Sequence, residues 1–258
     1  MANKIITPTV IVAALGYFVD IYDLILFAIV RTASLTDLGF TGQANRDYGE
    51  LLISCQMYGM LLGGILWGML GDKRGRLSVL FGSIITYSIA NIANGMVHSV
   101  EAYAIWRFIA GLGLAGELGA GITLVTETLP NEKRGYGTTI VAAVGISGAI
   151  FANFVYQVFD DWRFCYYAGG VLGLLLLIIR LSVKESFMYL QVKAGSVVRG
   201  SFLALFTNRK RFVRYLRSIM IGMPIWFVVG VLVTFAPEFA NILDVRDAAT
   251  IKAGHAVA

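Results

Sequence analysis

The sequence predicts an all-α, polytopic transmembrane helical bundle, and three observations carry that prediction. The chain of 258 residues is 57% hydrophobic and 14% charged, where a soluble domain carries about 25% charged residues. Its apolar runs are close to the roughly 20 residues that a helix needs to cross a bilayer, and about twice the length of a barrel strand. Between those runs the charges gather in short clusters, because each ionised side chain at mid-bilayer costs about 2.5 to 3.5 kcal/mol. Only helices and closed barrels satisfy their backbone groups in lipid, so runs of this length read as helices.

The first run, Thr9 to Val30, follows a tail whose one charged side chain is Lys4. It is too long for a signal-peptide core and lacks a small-residue cleavage site, so it reads as helix one. Arg31 to Asp47 reads as a polar loop, and Tyr48 to Trp67 as helix two. The stretch GMLGDKRGRL, Gly68 to Leu77, is a glycine-rich, charge-dense turn, with Gly71 and Gly75 suited to a reversal at positive φ. Helix three, Ser78 to Val97, and helix four, about Tyr103 to Val125, come next. A second charged turn, Glu127 to Gly135, leads to helix five, Thr138 to Phe159. Helix six runs from Tyr166 to about Leu181. Residues 1–183 thus form a six-helix bundle and 184–217 a basic linker, while 218–258 hold helix seven, about Ser218 to Phe239, and the start of a further bundle.

Most of the 21 Lys and Arg residues fall in segments on the side of the amino terminus: Lys73, Arg74, Arg76, Lys133, Arg134 and the run from Arg180 to Arg217. The positive-inside rule therefore places the amino terminus in the cytoplasm of a cell membrane. Ordinary inside-positive topology also accounts for the basic linker, with contact to anionic lipid as the alternative. No nucleic-acid partner is needed to explain the net charge of +5. Cys55 and Cys165 lie in apolar segments and read as packing residues.

Four ionisable residues remain inside the spans: Asp20, Asp23, Arg107 and Glu117. Such groups mark substrate or proton pathways by default. Asp20 and Asp23 are neighbours on one helix face. Two carboxylates so placed should not both ionise, so one can carry a proton, unless the outer loop hydrates one of them. Arg107 keeps its charge and either pairs with an acid such as Asp20 or Asp23 or attracts an anionic solute. Glu117 stands about 15 Å further along helix four, too far to be its direct partner. It reads as a proton carrier or a protonated hydrogen-bond donor. Glycines four apart in helix two, and the crowd from Gly111 to Gly121 in helix four, suit close helix packing.

Several stretches resemble a known family. The turn from Gly68 through Asp72, Gly75 and Arg76 resembles the helix two to three signature of the major facilitator superfamily. The segment RFIAGLGLAGE, Arg107 to Glu117, with Glu127, Pro130, Arg134 and Gly135, resembles the second signature of its sugar-porter and organic-acid proton symporter branches. Asp161-Trp162-Arg163 and Lys184-Glu185-Ser186 resemble further markers of that group. Asp20 to Asp23, read DIYD, resembles the paired-Asp motif of aromatic-acid proton symporters, in different surroundings.

The resemblance implies two six-helix bundles around a central cavity that opens alternately to either side. It places Asp72 and Arg76 in a cytoplasmic gate with Glu127 and Arg134 as partners, and Arg107 and Glu117 on the coupling pathway. Complete members have twelve helices, so the resemblance also implies that this chain is a fragment, inactive alone, whose partner is the missing carboxyl-terminal half or a second copy.

The function expected is proton-coupled symport of a small organic solute, a carboxylate among the candidates, with no cofactor beyond the coupling proton. A sugar-type facilitator and a non-transporting membrane sensor or assembly partner are the alternatives. An intramembrane enzyme is disfavoured because no HExxH pair or metal-ligand cluster occurs, and His98 and His255 fall in loops. A nucleotide-driven pump is disfavoured because no Walker-type loop occurs.

Overall fold

A computed structural model describes residues 5–181, 200–236 and 239. Six long helices cover the first part of the chain: α1 (Pro8–Asp37), α2 (Gly42–Arg74), α3 (Arg76–Gly95), α4 (Val100–Thr128), α5 (Asn131–Phe159) and α6 (Trp162–Arg180). All six are long and apolar enough to cross a membrane. A short turn α7 (Ala204–Thr207) and helix α8 (Arg209–Phe227) follow, and α8 continues as a π-helical segment, Val228–Val233. Among the described residues no strand occurs.

Local chemistry sets the helix ends. Thr7 caps α1 through its side-chain oxygen and Pro8 opens it, a position where proline's missing N–H costs nothing. Ser99 caps α4 and Asp161 caps α6, each accepting a bond from a first-turn N–H that has no partner inside the helix. At the other end of α5, Asp160 adopts a left-handed conformation.

The helices begin earlier and run longer than hydropathy indicates, which corrects several expected boundaries. The loop expected over Arg31 to Asp47 is helical except for residues 38–41. Asn45 explains why the connection is so short: its amide nitrogen donates to the Thr32 carbonyl at 3.2 Å, the Thr36 hydroxyl at 3.3 Å and the Phe40 carbonyl at 3.1 Å. That anchors the start of α2 on the end of α1. In the Gly68 to Leu77 stretch, Asp72, Lys73 and Arg74 form the last turn of α2, and Gly75 alone breaks the helix, at φ 104°. Gly71 stays helical. The break expected over Glu127 to Gly135 is confined to Leu129 and Pro130. Helix seven was expected from Ser218, but α8 begins at Arg209. Its first half carries Arg209, Lys210, Arg211, Arg214 and Arg217, and α8 is not among the helices apolar enough to span. Charge ends a hydropathic run before it ends a helix, because a helix extends into water with its backbone bonds intact.

Packing pairs α2 with α4, α1 with α5, and α3 with both α4 and α6. α1 is the most enclosed of the six and α2 the least. An aromatic cluster of Tyr22, Phe27, Tyr103, Trp162 and Tyr166 fills the end of the bundle where α1 finishes. Leu80, Ile84, Tyr87, Leu114 and Leu176 fill the region where α3, α4 and α6 meet. At Gly59 and Gly111 a Cβ would collide with the backbone of the opposite helix, so α2 and α4 touch main chain to main chain. In lipid such close approach drives association, since burial of apolar surface gives no advantage there.

Candidate functional site

Asp20 and Asp23 on α1, Arg107 and Glu117 on α4 and Arg180 on α6 pack into two buried layers. The layer nearer the end of α1 contains Asp23 and Arg107, both fully buried, with 4.0 Å between Arg107 Nη1 and Asp23 Oδ1. Arg107 Nη2 donates to Gln56 Oε1 on α2. Its guanidinium lies 4.5 Å from the Phe27 ring centroid and 5.8 Å from that of Tyr166, where cation–π attraction supports it. The Tyr166 and Tyr103 hydroxyls share a bond of 2.7 Å. Arg107 Nε and Nη1 have no hydrogen-bond partner among the described residues.

The second layer lies nearer the start of α1. Arg180, from the last turn of α6, holds the carboxylate of Glu117 with both terminal nitrogens, Nη1 at 2.7 Å from Oε2 and Nη2 on Oε1. Nη1 also reaches the Leu80 carbonyl at 3.4 Å. Asp20 shares a small cavity with Glu117 and Tyr17, and neither of its oxygens has a hydrogen bond among the described residues. The sequence reading counts Arg180 among the inside-positive charges at the end of helix six and does not place it with the buried groups. The structure buries it to 1% exposure. The signal available was Glu117 itself, a buried acid for which the neighbouring helices had no assigned cation.

At the end of the bundle that carries the α2–α3 break, Arg76 bridges two acids. Its Nη1 meets Asp72 Oδ1 at 2.8 Å and its Nη2 meets Glu127 Oε1 at 3.2 Å, joining α2, α3 and α4. Gly75 supplies the turn. Gly68 and Asp72 line a cavity of about 680 Å³ with Arg76, Gly119, Phe202 and Tyr215. Arg134 Nε donates to the Leu129 carbonyl across the α4–α5 break at 3.1 Å, and Gly135 accepts bonds from the Thr138 and Thr139 hydroxyls. At the opposite end, Asp37 accepts from Trp162 Nε1 and Arg163, while Arg163 Nη1 also reaches the Gly95 and Val97 carbonyls. This fixes the end of α1 to α3 and α6. Lys184, Glu185 and Ser186 lie outside the described residues.

The profile of the Major Facilitator Superfamily matches residues 13–258. The chain belongs to the Major Facilitator Superfamily. Two curated members show how similar this one is. The niacin transporter NiaP of Acinetobacter baylyi is 30% identical over 182 residues, 69% of this chain and 40% of that protein. The sialic acid transporter NanX of Escherichia coli is 28% identical over 198 residues, 75% of this chain and 47% of that protein. Among solved structures, the proton:xylose symporter XylE matches with a TM-score of 0.64 at 18% identity, over 72% of this chain and 46% of that one, a likeness of fold alone. The chain therefore spans about half the length of the superfamily relatives it matches. Both curated relatives are transporters and neither is named as an enzyme.

Proposed function

We propose that the chain is the amino-terminal portion of a proton-coupled secondary transporter for a small organic acid. The observation that carries this reading is the Arg107 site: a fully buried guanidinium with free donors, flanked by Phe27 and Tyr166, and facing a single carboxylate, Asp23, at 4.0 Å. An anionic solute competes with Asp23 for Arg107, and Asp23 then takes up a proton. Solute and proton thus load together, because two anions around one cation are disfavoured in a low dielectric. The names of NiaP and NanX, one a niacin and one a sialic acid transporter, point to the same solute class.

Arg76, with Asp72 and Glu127, forms the gate at the cytoplasmic end in this reading, and Arg134 braces the neighbouring α4–α5 corner. Lys73, Arg74, Arg76, Lys133 and Arg134 all lie at the end of the bundle where α1 begins, which supports a cytoplasmic amino terminus. A second six-helix half closes the cavity and supplies alternating access, so the chain alone does not transport. The test compares uptake of labelled niacin by proteoliposomes holding the chain alone with uptake by the chain extended by the coding sequence downstream of Ala258. Uptake by the extended form that an acidic exterior stimulates, and that Arg107→Gln abolishes, supports the reading. Uptake indifferent to Arg107, or robust uptake by the chain alone, overturns it.

A further inference from the structure

The buried layers do not balance in charge. Between α1, α4 and α6 lie three carboxylates, Asp20, Asp23 and Glu117, and two guanidiniums, Arg107 and Arg180. Arg31, further along α1, is separate: it packs against Gly49 and over the Phe235 ring. The groups facing Asp20 are Tyr17 and Asp23 on its own helix, Tyr87 on α3, Glu117 on α4 and Arg180 on α6. Arg107 faces Asp23 and Arg180 holds Glu117, so Asp20 is the acid left without a cation. It is 6% exposed, its oxygens are unpartnered among the described residues, and it opens into the cavity that Glu117 also lines. Arg180 Nε is likewise without a partner there, and the guanidinium abuts α1 at Gly16, one helical turn from Asp20.

We propose that Arg180 is a positioning residue exchanged between Glu117 and Asp20, so that whichever carboxylate it leaves is the one that takes the proton. The inference rests on the proton-coupled reading above and adds a second proton site to it. With Arg180 on Glu117, as here, the proton sits on Asp20. When the guanidinium moves to Asp20, the Asp20 O–H bond breaks and an O–H bond forms on Glu117 across the shared cavity. The charge of the cluster is unchanged, so the transfer proceeds without exposing a net charge to lipid. Displacement along this path carries the proton from α1 to α4.

Infrared difference spectroscopy on the chain in lipid nanodiscs reads this directly, through the carbonyl band of a protonated carboxyl group at neutral pH. The parent chain should show a band that Asp20→Asn removes. In Glu117→Gln, Arg180 is released to Asp20 and that band should disappear. Removing the cation by Arg180→Gln should instead retain the Asp20 band and add a second, from Glu117, so either variant decides the matter if the other fails to fold. An Asp20 band unchanged in Glu117→Gln, or no second band in Arg180→Gln, overturns the exchange while leaving proton coupling at Asp23 intact. Absence of any Asp20-dependent band in the parent chain overturns it as well. The proton-coupled reading itself is judged separately, by whether uptake in the extended protein depends on pH and on Asp23.

Discussion

Arg180 and Glu117 meet across 63 positions of sequence, the last turn of α6 closing on the middle of α4 with a two-pronged contact at 1% and 2% exposure. Breaking a buried pair from one side leaves an uncompensated charge, at a cost of about 3 to 5 kcal/mol. Arg180→Ala should lower the thermal midpoint of the purified chain markedly, and Glu117→Ala by less, because Asp20 receives the released guanidinium. The apolar double replacement Glu117→Leu/Arg180→Met should recover most of that loss, because it removes both charges together. A double variant no more stable than the singles would show that the pair contributes more than neutralisation.

Gly16 leaves the room this contact needs. A Cβ there would occupy the space of Glu117 Oε1 and Arg180 Nη2. Gly16→Ala should therefore destabilise the chain, while Gly64→Ala, whose Cβ meets nothing within 4 Å, should leave the melting curve within experimental scatter. Equal effects from the two would remove the steric argument.

The two bridges of Arg76 differ in surroundings. Asp72 is half exposed, whereas Glu127 is 17% exposed. A double-mutant cycle should assign Arg76–Asp72 the 0.2 to about 1 kcal/mol usual for exposed pairs, and Arg76–Glu127 the larger coupling. The reverse order would show that the α3–α4 connection is not the stronger side of this junction.

At Gly75 the backbone is left-handed, φ 104°. Gly75→Ala forces a Cβ into a conformation, φ 104° and ψ 160°, that is essentially confined to glycine and costs about 1 to 3 kcal/mol. Its chemical-denaturation midpoint should fall accordingly, and an unchanged midpoint would mean that the α2–α3 corner relaxes freely.

The fold was legible because lipid imposes a simple rule: runs without charge must span, and charge must lie outside or face a partner. That rule located all six long helices and isolated Asp20, Asp23, Arg107 and Glu117. It could not place helix ends, since Arg31 and Asp72 continue their helices past the point where hydropathy stops. Nor does it single out Arg180, because a cation in the last turn of an apolar helix looks the same in sequence whether it turns outward to water or inward to Glu117. The bond from Arg107 to Gln56 depends on how closely α2 packs on α4 at Gly59 and Gly111, which hydropathy does not report.

The central claim, that solute and proton load together at Arg107 and Asp23, is tested most directly by trapping a pH-sensitive dye inside proteoliposomes of the extended protein and adding niacin or sialic acid outside. Symport at this pair should acidify the lumen as solute enters, and Asp23→Asn should abolish the acidification. Solute entry with no change in lumenal pH would contradict it.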